Sequence, residues 1–230
     1  MLLLFDIDGT LLAGATKAHR AALHAALREV HGVEDPEAFR PSVHPAGRTD
    51  GEIARMILLL AGVSAEQIDD GSDAVREVCC REYARRCPYD LSHTVIPGIP
   101  ELLVSLFYDD DVRVALLTGN FEPIARIKLA RAGIGKYFPV GQGAFGSDAE
   151  DRAELPAIAR RRAGQDDVPQ PPGETVVIGD TPLDIVCAHA DGVRCVAVAT
   201  GPFGVEELQE ADAVAADAHE LAGVLSAFAV

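Results

Sequence analysis

The chain has 230 residues, of which 48% are hydrophobic and 24% charged, and its formal net charge is −16. This composition favours a soluble globular protein over a disordered one, and the negative charge argues against nucleic acid or anionic lipid as a partner. The apolar runs MILLLAG at 56–62 and LAGVLSAFAV at 221–230 are too short to cross a bilayer, so we expect no membrane partner.

Five short apolar runs predict β-strands, and each run after the first follows a segment that could form a helix. This alternation predicts an α/β fold: a Rossmann-like parallel sheet core with helices on both faces. In such folds, ligands bind beyond the carboxyl ends of the strands. The runs are LLLFDI (2–7), VRVALLT (112–118), YFPVGQGAF (137–145), TVVIGD (175–180) and RCVAVAT (194–200).

The first two predicted strands are joined by a connection that runs from about Leu11 to Asp111. This is far longer than a simple crossover requires, so it should hold an inserted unit. We expect residues 14–95 to form a helical cap domain, and residues 1–13 with 96–230 to form the α/β core. The supporting features are helical periodicity at 17–30, 50–62 and 72–87, capping boxes at Thr49–Glu52 and Ser64–Gln67, and a returning helix with Pro100 in its first turn.

Polar residues follow three of the predicted strands: DIDGT (6–10), TGN (118–120) and GDTPLD (179–184). Because the strands are expected to be parallel, these segments should meet at one edge of the sheet. Asp6 and Asp8 flank a single isoleucine where an apolar run ends. Burying carboxylates is costly unless a cation is near, so the pattern indicates a bound cation.

DIDGT, LLTGN and GDTPLD, in this order, resemble the motifs of the haloacid dehalogenase superfamily. The helical insert is similar to the cap of its phosphoglycolate phosphatase and beta-phosphoglucomutase-like branch. The resemblance implies a magnesium-dependent phosphatase that hydrolyses a small phosphorylated metabolite through an aspartyl phosphate. Asp6 would be the nucleophile and Asp8 the general acid and base. Asp6, Asp180 and the backbone carbonyl of Asp8 would bind Mg²⁺, and Asp184 would do so directly or through water.

The phosphate group needs further partners in this interpretation. The hydroxyl of Thr118 and the amide of Gly119, between a strand and a helix, are suited to phosphate oxygens. Asn120 either caps the following helix or contacts substrate. Thr10 is either a turn residue or a hydroxyl that orients the nucleophile.

The cation that should balance Asp6 is not obvious, because the Lys-Pro pair that the family resemblance implies before the fourth strand is absent. Arg152 is the first candidate. Lys128 is the second, since it lies about two turns into its helix, roughly 12 Å along the axis. In the cap, HPAGRTD (44–50) resembles the substrate-selecting loop of the branch, which makes Arg48 either a substrate contact or a solvated neighbour.

Other functions remain open to different degrees. GQGAFG (141–146) matches the GxGxxG fingerprint of nicotinamide-binding folds, but it follows two strands instead of opening the domain, which favours simple glycine turns. The family's dehalogenases lack the second aspartate, which is present here as Asp8. A phosphomutase uses the same two aspartates, and a domain that binds phosphorylated ligands, or is phosphorylated on Asp6 as a signal, would share them.

The cysteines and histidines predict structural roles. Five cysteines without a CxxC pair indicate neither a disulfide framework nor a zinc site, so we expect buried thiols in a cytoplasmic protein. His19, His24 and His31 are interpreted as positions on the faces of an ordinary helix. The sequence does not indicate an oligomeric state.

Overall fold

Six parallel strands form the centre of the fold in the computed structural model, which describes residues 1–228 apart from the side chains of residues 40 and 41. Their spatial order is β3-β2-β1-β4-β5-β6, so β1 lies between β2 and β4. The predicted α/β architecture is therefore confirmed. The strands are β1 (Leu2–Phe5), β2 (Arg113–Thr118), β3 (Ala144–Phe145), β4 (Thr175–Gly179), β5 (Arg194–Val198) and β6 (Ala213–Ala215).

Eight α-helices accompany the sheet within the described residues. They are α1 (Lys17–His31), α2 (Asp50–Leu60), α3 (Ala65–Arg86), α4 (Ile99–Phe107), α5 (Glu122–Arg131), α6 (Leu155–Ala163), α7 (Pro182–Ala190) and α8 (Ala218–Phe228). Short 3₁₀ helices cover Pro36–Ser42, Ser92–Thr94, Gly135–Tyr137, Arg152–Glu154, Pro172–Glu174 and Val205–Leu208. No helix among the described residues is long and apolar enough to cross a membrane.

The alternation of side chains along β1 divides the core into two hydrophobic clusters. Leu3 and Phe5 belong to one cluster and Leu2 and Leu4 to the other, and all four are fully buried. Because successive residues of a strand point to opposite faces, a strand that is apolar throughout must be covered on both faces. Helices therefore pack on both sides of the sheet, as predicted.

Helices α1, α2 and α3 form the insert between β1 and α4, and this places a helical layer over one end of the sheet. Its apolar residues, such as Leu27 and Tyr83, belong to the same continuous cluster as Phe5 of the sheet. The Ser64–Gln67 capping box is present, and Pro100 lies in the first turn of α4. The Thr49–Glu52 box is only half formed, because Thr49 accepts the amide of Glu52 while the carboxylate of Glu52 pairs with an arginine.

The predicted third strand is wrong over most of its length, since only Ala144–Phe145 pairs with β2. Pro139 cannot donate to a ladder, and Gly141 and Gly143 have φ of 84° and 86°, which is incompatible with an extended strand. These glycines therefore form turns, as the alternative interpretation of GQGAFG held. The short strand β6 was not predicted, and the last two residues of the predicted core, 229 and 230, lie outside the described residues.

Candidate active site

The polar segments that follow β1, β2 and β4 leave the sheet at the same edge. Phe5, the last residue of β1, is paired with Leu116 on one side and with Ile178 on the other. Because all three strands are parallel, the residues that come next along each chain segment lie close together. This register explains how DIDGT, TGN and GDTPLD come to share one site.

Three carboxylates form a compact acidic cluster at this edge. Asp6, Asp180 and Asp184 are buried, and each offers an oxygen within 4.8 Å of the other two. Burial raises the pKa of Asp6; Arg152 opposes this shift, and the carboxylates of Asp184 and Asp8 add to it. Burial also raises the pKa of Asp180, and the charges of Asp6 and Asp184 add to that shift. The cluster is therefore electrostatically unfavourable in its ionised form unless further positive charge lies within it.

The surroundings of Asp180 fit a hard divalent cation. Its Oδ1 accepts a hydrogen bond from the hydroxyl of Thr10 at 2.9 Å, whereas its buried Oδ2 has no hydrogen-bond partner among the residues that the structure describes. A Cβ atom added at Gly9 or Gly201 would lie 2.1 or 1.7 Å from Oδ2, so both positions need glycine. Magnesium prefers oxygen ligands of this kind. The hydroxyl of Thr10 thus orients Asp180, not the predicted nucleophile.

Arg152 supplies a buried cation next to Asp6. It begins a 3₁₀ helix whose first turn is capped by Asp151, and its Nη2 lies 3.3 Å from Asp6 Oδ1. The same nitrogen donates to Oδ1 of Asp184, while Oδ2 of Asp184 accepts the amide and the hydroxyl of Thr181 at 3.0 and 2.7 Å. Asp184 therefore completes the capping box of α7 with Thr181 and also holds the guanidinium of Arg152. Both carboxylate oxygens of Asp184 accept hydrogen bonds.

Lys128 lies on the buried face of α5 and is fully buried. Its ammonium contacts Oδ2 of Asp8 at 2.5 Å and Oδ1 of Asn120 at 2.6 Å. Although Lys128 lies about two turns into α5, its side chain reaches Asp8, because helical side chains point back towards the amino end of their helix. Its partner is therefore Asp8, whereas Arg152 lies beside Asp6. Burial acts to raise the pKa of Asp8, but the charge and hydrogen bond of Lys128 outweigh it and lower that pKa, and the hydrogen bond from Asn120 adds to the lowering.

His19 of α1 and Asp50 of α2 extend this buried network into the insert. Lys128 Nζ lies 3.2 Å from His19 Nδ1, and His19 Nε2 lies 3.0 Å from Asp50 Oδ2. An ammonium can only donate, so Nδ1 accepts and Nε2 carries the proton that is donated to Asp50. Asp50 Oδ2 also accepts the amide of Phe121 at 2.8 Å. The insert thus contacts the residues that hold Asp8.

One prediction for Asn120, that it caps the following helix, is wrong. That helix, α5, has Phe121 at its N-cap position without a side-chain cap, and the nearby amide is satisfied by Asp50 instead. The amide nitrogen of Asn120 donates to Asp8 Oδ2 and to the hydroxyl of Thr118, both at 3.0 Å. Asn120 and Thr118 therefore belong to the network around Asp8.

The loop before α2 packs closely against the end of β2. A Cβ atom at Gly119 would lie 2.1 Å from the carbonyl oxygen of Arg48, and Gly119 O accepts the amide of Asp50 at 2.8 Å. Glycine is thus required here for close backbone approach. The Arg48 side chain donates to His44 O at 3.0 Å and pairs with Glu52. Both Gly119 and Arg48 line the cavity described next.

A cavity of about 640 Å³ lies between the carboxyl edge of the sheet and the insert. Asp6, Asp8, Asn120, Arg152 and Asp180 line its inner end, and residues of α1, α2, the loop between them and the core loops after β1 and β5 line much of the rest. A cavity of this size is typical of a binding site for a small molecule. Asp6, Asp180 and Arg152 thus face a space that a small ligand could enter, whereas Lys128 lies behind Asp8 and Asn120.

A family model described as haloacid dehalogenase-like hydrolase matches residues 3–189. The chain belongs to this family. The match runs from β1 to the end of α7 and so includes the insert and all three polar segments. The family suggested by DIDGT, LLTGN and GDTPLD is therefore confirmed.

Several known proteins resemble the chain over most of its length. A phosphoglycolate phosphatase of Pseudomonas fluorescens is 26% identical over 205 residues, which are 87% of this chain and 70% of that protein. A protein of Mycobacterium tuberculosis named tyrosine-protein kinase PtkA is 30% identical over 200 residues, which are 87% of this chain but 62% of that protein. The crystal structure of a hydrolase from Pseudomonas syringae has a TM-score of 0.68 at 24% identity and covers 98% of this chain and 97% of its own; it supports the fold.

Sequence reasoning missed His19 and Asp50 in this hydrolase. The sequence predicts an ordinary helix position for His19, yet this residue is buried and contacts Asp50 and Lys128. For Asp50 the sequence predicts only a place within the Thr49–Glu52 capping box. Nothing local in the sequence marks either residue, because their partners lie on other elements that only the tertiary fold brings near.

Proposed function

We propose that this chain is a magnesium-dependent phosphatase that hydrolyses a small phosphorylated metabolite through an aspartyl phosphate on Asp6. The observation that carries the proposal is the environment of Asp6: a buried carboxylate at the inner end of the cavity, 3.3 Å from Arg152 and within 4.8 Å of Asp180 and Asp184. Membership of a hydrolase family and relatives named phosphoglycolate phosphatase support the same activity. Neither nucleic acid nor membrane is a partner in this proposal.

Asp6 attacks phosphorus in line with the ester oxygen, so that a bond between the carboxylate and phosphorus forms as the bond to the alcohol breaks. Arg152 orients Asp6 and stabilises negative charge on the transferring group. The hydroxyl of Thr118 and the amide of Gly119 bind the remaining phosphate oxygens. Water then attacks phosphorus, which releases phosphate and restores Asp6.

Asp8 handles the proton in both halves of the reaction. Its contact with Lys128 favours the carboxylate, which suits the second half, where Asp8 accepts a proton from the attacking water. In the first half Asp8 must carry a proton to the leaving alcohol oxygen. The monoanion of the phosphate ester brings such a proton, and Asp8 transfers it as the ester bond breaks.

Asp6, Asp180 and the backbone carbonyl of Asp8 would hold magnesium, consistent with the unpartnered Oδ2 of Asp180 among the described residues. Asp184 would contribute through water, because its own oxygens already accept hydrogen bonds from Arg152 and Thr181. A bound magnesium ion neutralises the acidic cluster and the phosphate charge.

Residues 14–95 act in this proposal as a cap over the core formed by 1–13 and 96–230. The buried contact of His19 with Lys128, and of Asp50 with His19, supports a cap that closes against the residues holding Asp8. Closure of this kind excludes water and selects the substrate. The five free cysteines support assignment to the reducing cytoplasm.

The test is phosphate release from p-nitrophenyl phosphate, with magnesium and with chelator, for the parent protein, Asp6→Asn and Asp110→Asn. Asp110 is an exposed acid in a turn and serves as a matched control. Magnesium-dependent release that Asp6→Asn abolishes and Asp110→Asn preserves would support the proposal. Release that survives in Asp6→Asn would refute it. Transfer of labelled phosphate from ATP to tyrosine, without release to water, would favour the activity in the name of the mycobacterial relative.

A further inference from the structure

The cavity has two chemically different ends. Its inner end holds Asp6, Asp180 and Arg152, whereas its outer wall is formed largely by apolar side chains from the insert and from the segment that follows β1. These are Leu12, Leu23, Val43, Ile53 and Ile57. Four of them are buried and Ile53 is half-buried. A volume of about 640 Å³ leaves room for a body much larger than a two-carbon acid beyond the phosphate.

The charged side chains on the outer wall already have acidic partners within the protein. Arg48 pairs with Glu52, and Arg20 lies 3.7 Å from Glu37. His24, on the same wall, lies 3.4 Å from Glu37. A second anionic group on the substrate would have to compete with these glutamates. The wall is therefore poorly suited to a substrate carboxylate or a second phosphate.

A polyol is also a poor match for this wall. Each hydroxyl of a buried sugar needs a hydrogen-bond partner, and one that finds none loses the hydration that it had in water. The network formed by His19, Asp50 and Lys128 is committed to internal contacts. An apolar body, in contrast, gains from burial against leucine, valine and isoleucine side chains.

We infer that the substrate is a phosphate monoester of an apolar alcohol with an uncharged aliphatic or aromatic body. This inference rests on the proposed function. The phosphate would lie at the acidic cluster and Arg152, and the body would lie against Ile53 and Ile57 of α2. The cavity thus selects for the phosphate at one end and for hydrophobic surface at the other.

The experiment compares kcat/KM for 4-phenylbutyl phosphate, glycerol 3-phosphate, glucose 6-phosphate and phosphoglycolate in the presence of magnesium. All four are phosphate esters of primary alcohols, so differences in kcat/KM report mainly on the part of the substrate beyond the phosphate. We expect 4-phenylbutyl phosphate to exceed each of the others by at least about tenfold, the scale of one or two well-buried apolar groups. A value equal to or below that of glycerol 3-phosphate would overturn the inference.

Variants of α2 locate the preference. Ile53→Asn should lower the ratio of kcat/KM for 4-phenylbutyl phosphate to that for acetyl phosphate by about tenfold, because acetyl phosphate is too small to need the apolar wall. Leu60→Asn, on the same helix but 49% exposed and outside the cavity lining, should leave the ratio unchanged. If Ile53→Asn and Leu60→Asn lowered this ratio of kcat/KM values equally, the apolar wall would not be the binding surface for the substrate body.

The outcomes separate this inference from the proposed function. Failure to hydrolyse acetyl phosphate, p-nitrophenyl phosphate and all four esters would refute the phosphatase itself. Magnesium-dependent hydrolysis that is lost in Asp6→Asn but favours glucose 6-phosphate or phosphoglycolate would retain the phosphatase and overturn only the apolar substrate class.

Discussion

Replacing Lys128 with methionine tests how the buried cation acts. Methionine keeps much of the aliphatic volume but removes the ammonium that contacts Asp8, Asn120 and His19. Removing one partner of a buried ion pair costs about 3–5 kcal/mol, and the 22% exposure of the Asp8 side chain favours the lower end of that range. A loss of about 3 kcal/mol in the free energy of unfolding corresponds to a fall in Tm of roughly 6–12 °C for a chain of this size.

The effect of Lys128→Met on catalysis should pass through Asp8. General acid and base catalysis contributes about 10²–10⁴-fold, so we expect kcat to fall about 100-fold when Asp8 is no longer held in place. In an Asp8→Asn background the same substitution should cost less than about threefold, because the group that it positions is already absent.

The assay is a double-mutant cycle on kcat for p-nitrophenyl phosphate, with thermal unfolding of each variant. Lys17→Met, at an exposed position on α1, is the matched control and should change neither quantity. A loss of about 100-fold in both backgrounds would refute the reasoning and indicate that Lys128 contacts the substrate phosphate directly.

Three other substitutions or conditions give distinct outcomes. Arg152→Met should lower kcat by about 10²–10³-fold, since it removes a preorganised charge beside Asp6. Arg162→Met is the control, because its partner is Asp148, and it should leave kcat unchanged. Equal kcat values for the two variants would contradict the role of Arg152. Gly119→Ala should lower the free energy of unfolding by about 1–3 kcal/mol in urea titrations, because its Cβ would meet a backbone oxygen at 2.1 Å, whereas Gly173→Ala enters open space. Burial raises the pKa of Asp6 to about 7 and that of Asp180 to about 8 in the folded protein. Both carboxyl groups therefore bind protons more tightly in the folded than in the unfolded state, which stabilises the folded protein below about pH 4. This stabilisation is lost as the pH rises towards 8. Without magnesium the free energy of unfolding should fall over that window, and saturating magnesium should flatten the profile; identical profiles would argue against a cation at the cluster.

A local hydrophobic pattern predicts some strands of this sheet well and others poorly. LLLFDI and TVVIGD each contain an apolar run that ends at an aspartate or just before it, and both form central strands that are buried on both faces. YFPVGQGAF has a similar hydrophobic content, but a proline and two glycines with positive φ leave only Ala144–Phe145 as a strand. Hydrophobicity predicts that a segment is buried, whereas backbone restrictions decide how much of it can pair.

The residues of the candidate site likewise fall into those that a local motif predicts and those that it does not. Asp6, Asp8 and Asp180 could be proposed from short motifs, because each follows an apolar strand and a carboxylate there requires a cation. Arg152 could be proposed only as one of two basic residues, since the usual motif is absent. The structure brings Arg152 next to Asp6 and Lys128 next to Asp8, so the two cations have different partners.

The sequence alone determined the α/β class, the helical insert and the acidic motifs, because these depend on periodicity and on neighbours a few residues apart. Only the tertiary structure decided that His19 and Asp50 of the insert join Lys128 and that Asp184 fixes Arg152. It also decided that the cavity wall is apolar. These contacts join residues up to 109 positions apart, as for Lys128 and His19, and a local pattern carries no information about such pairs.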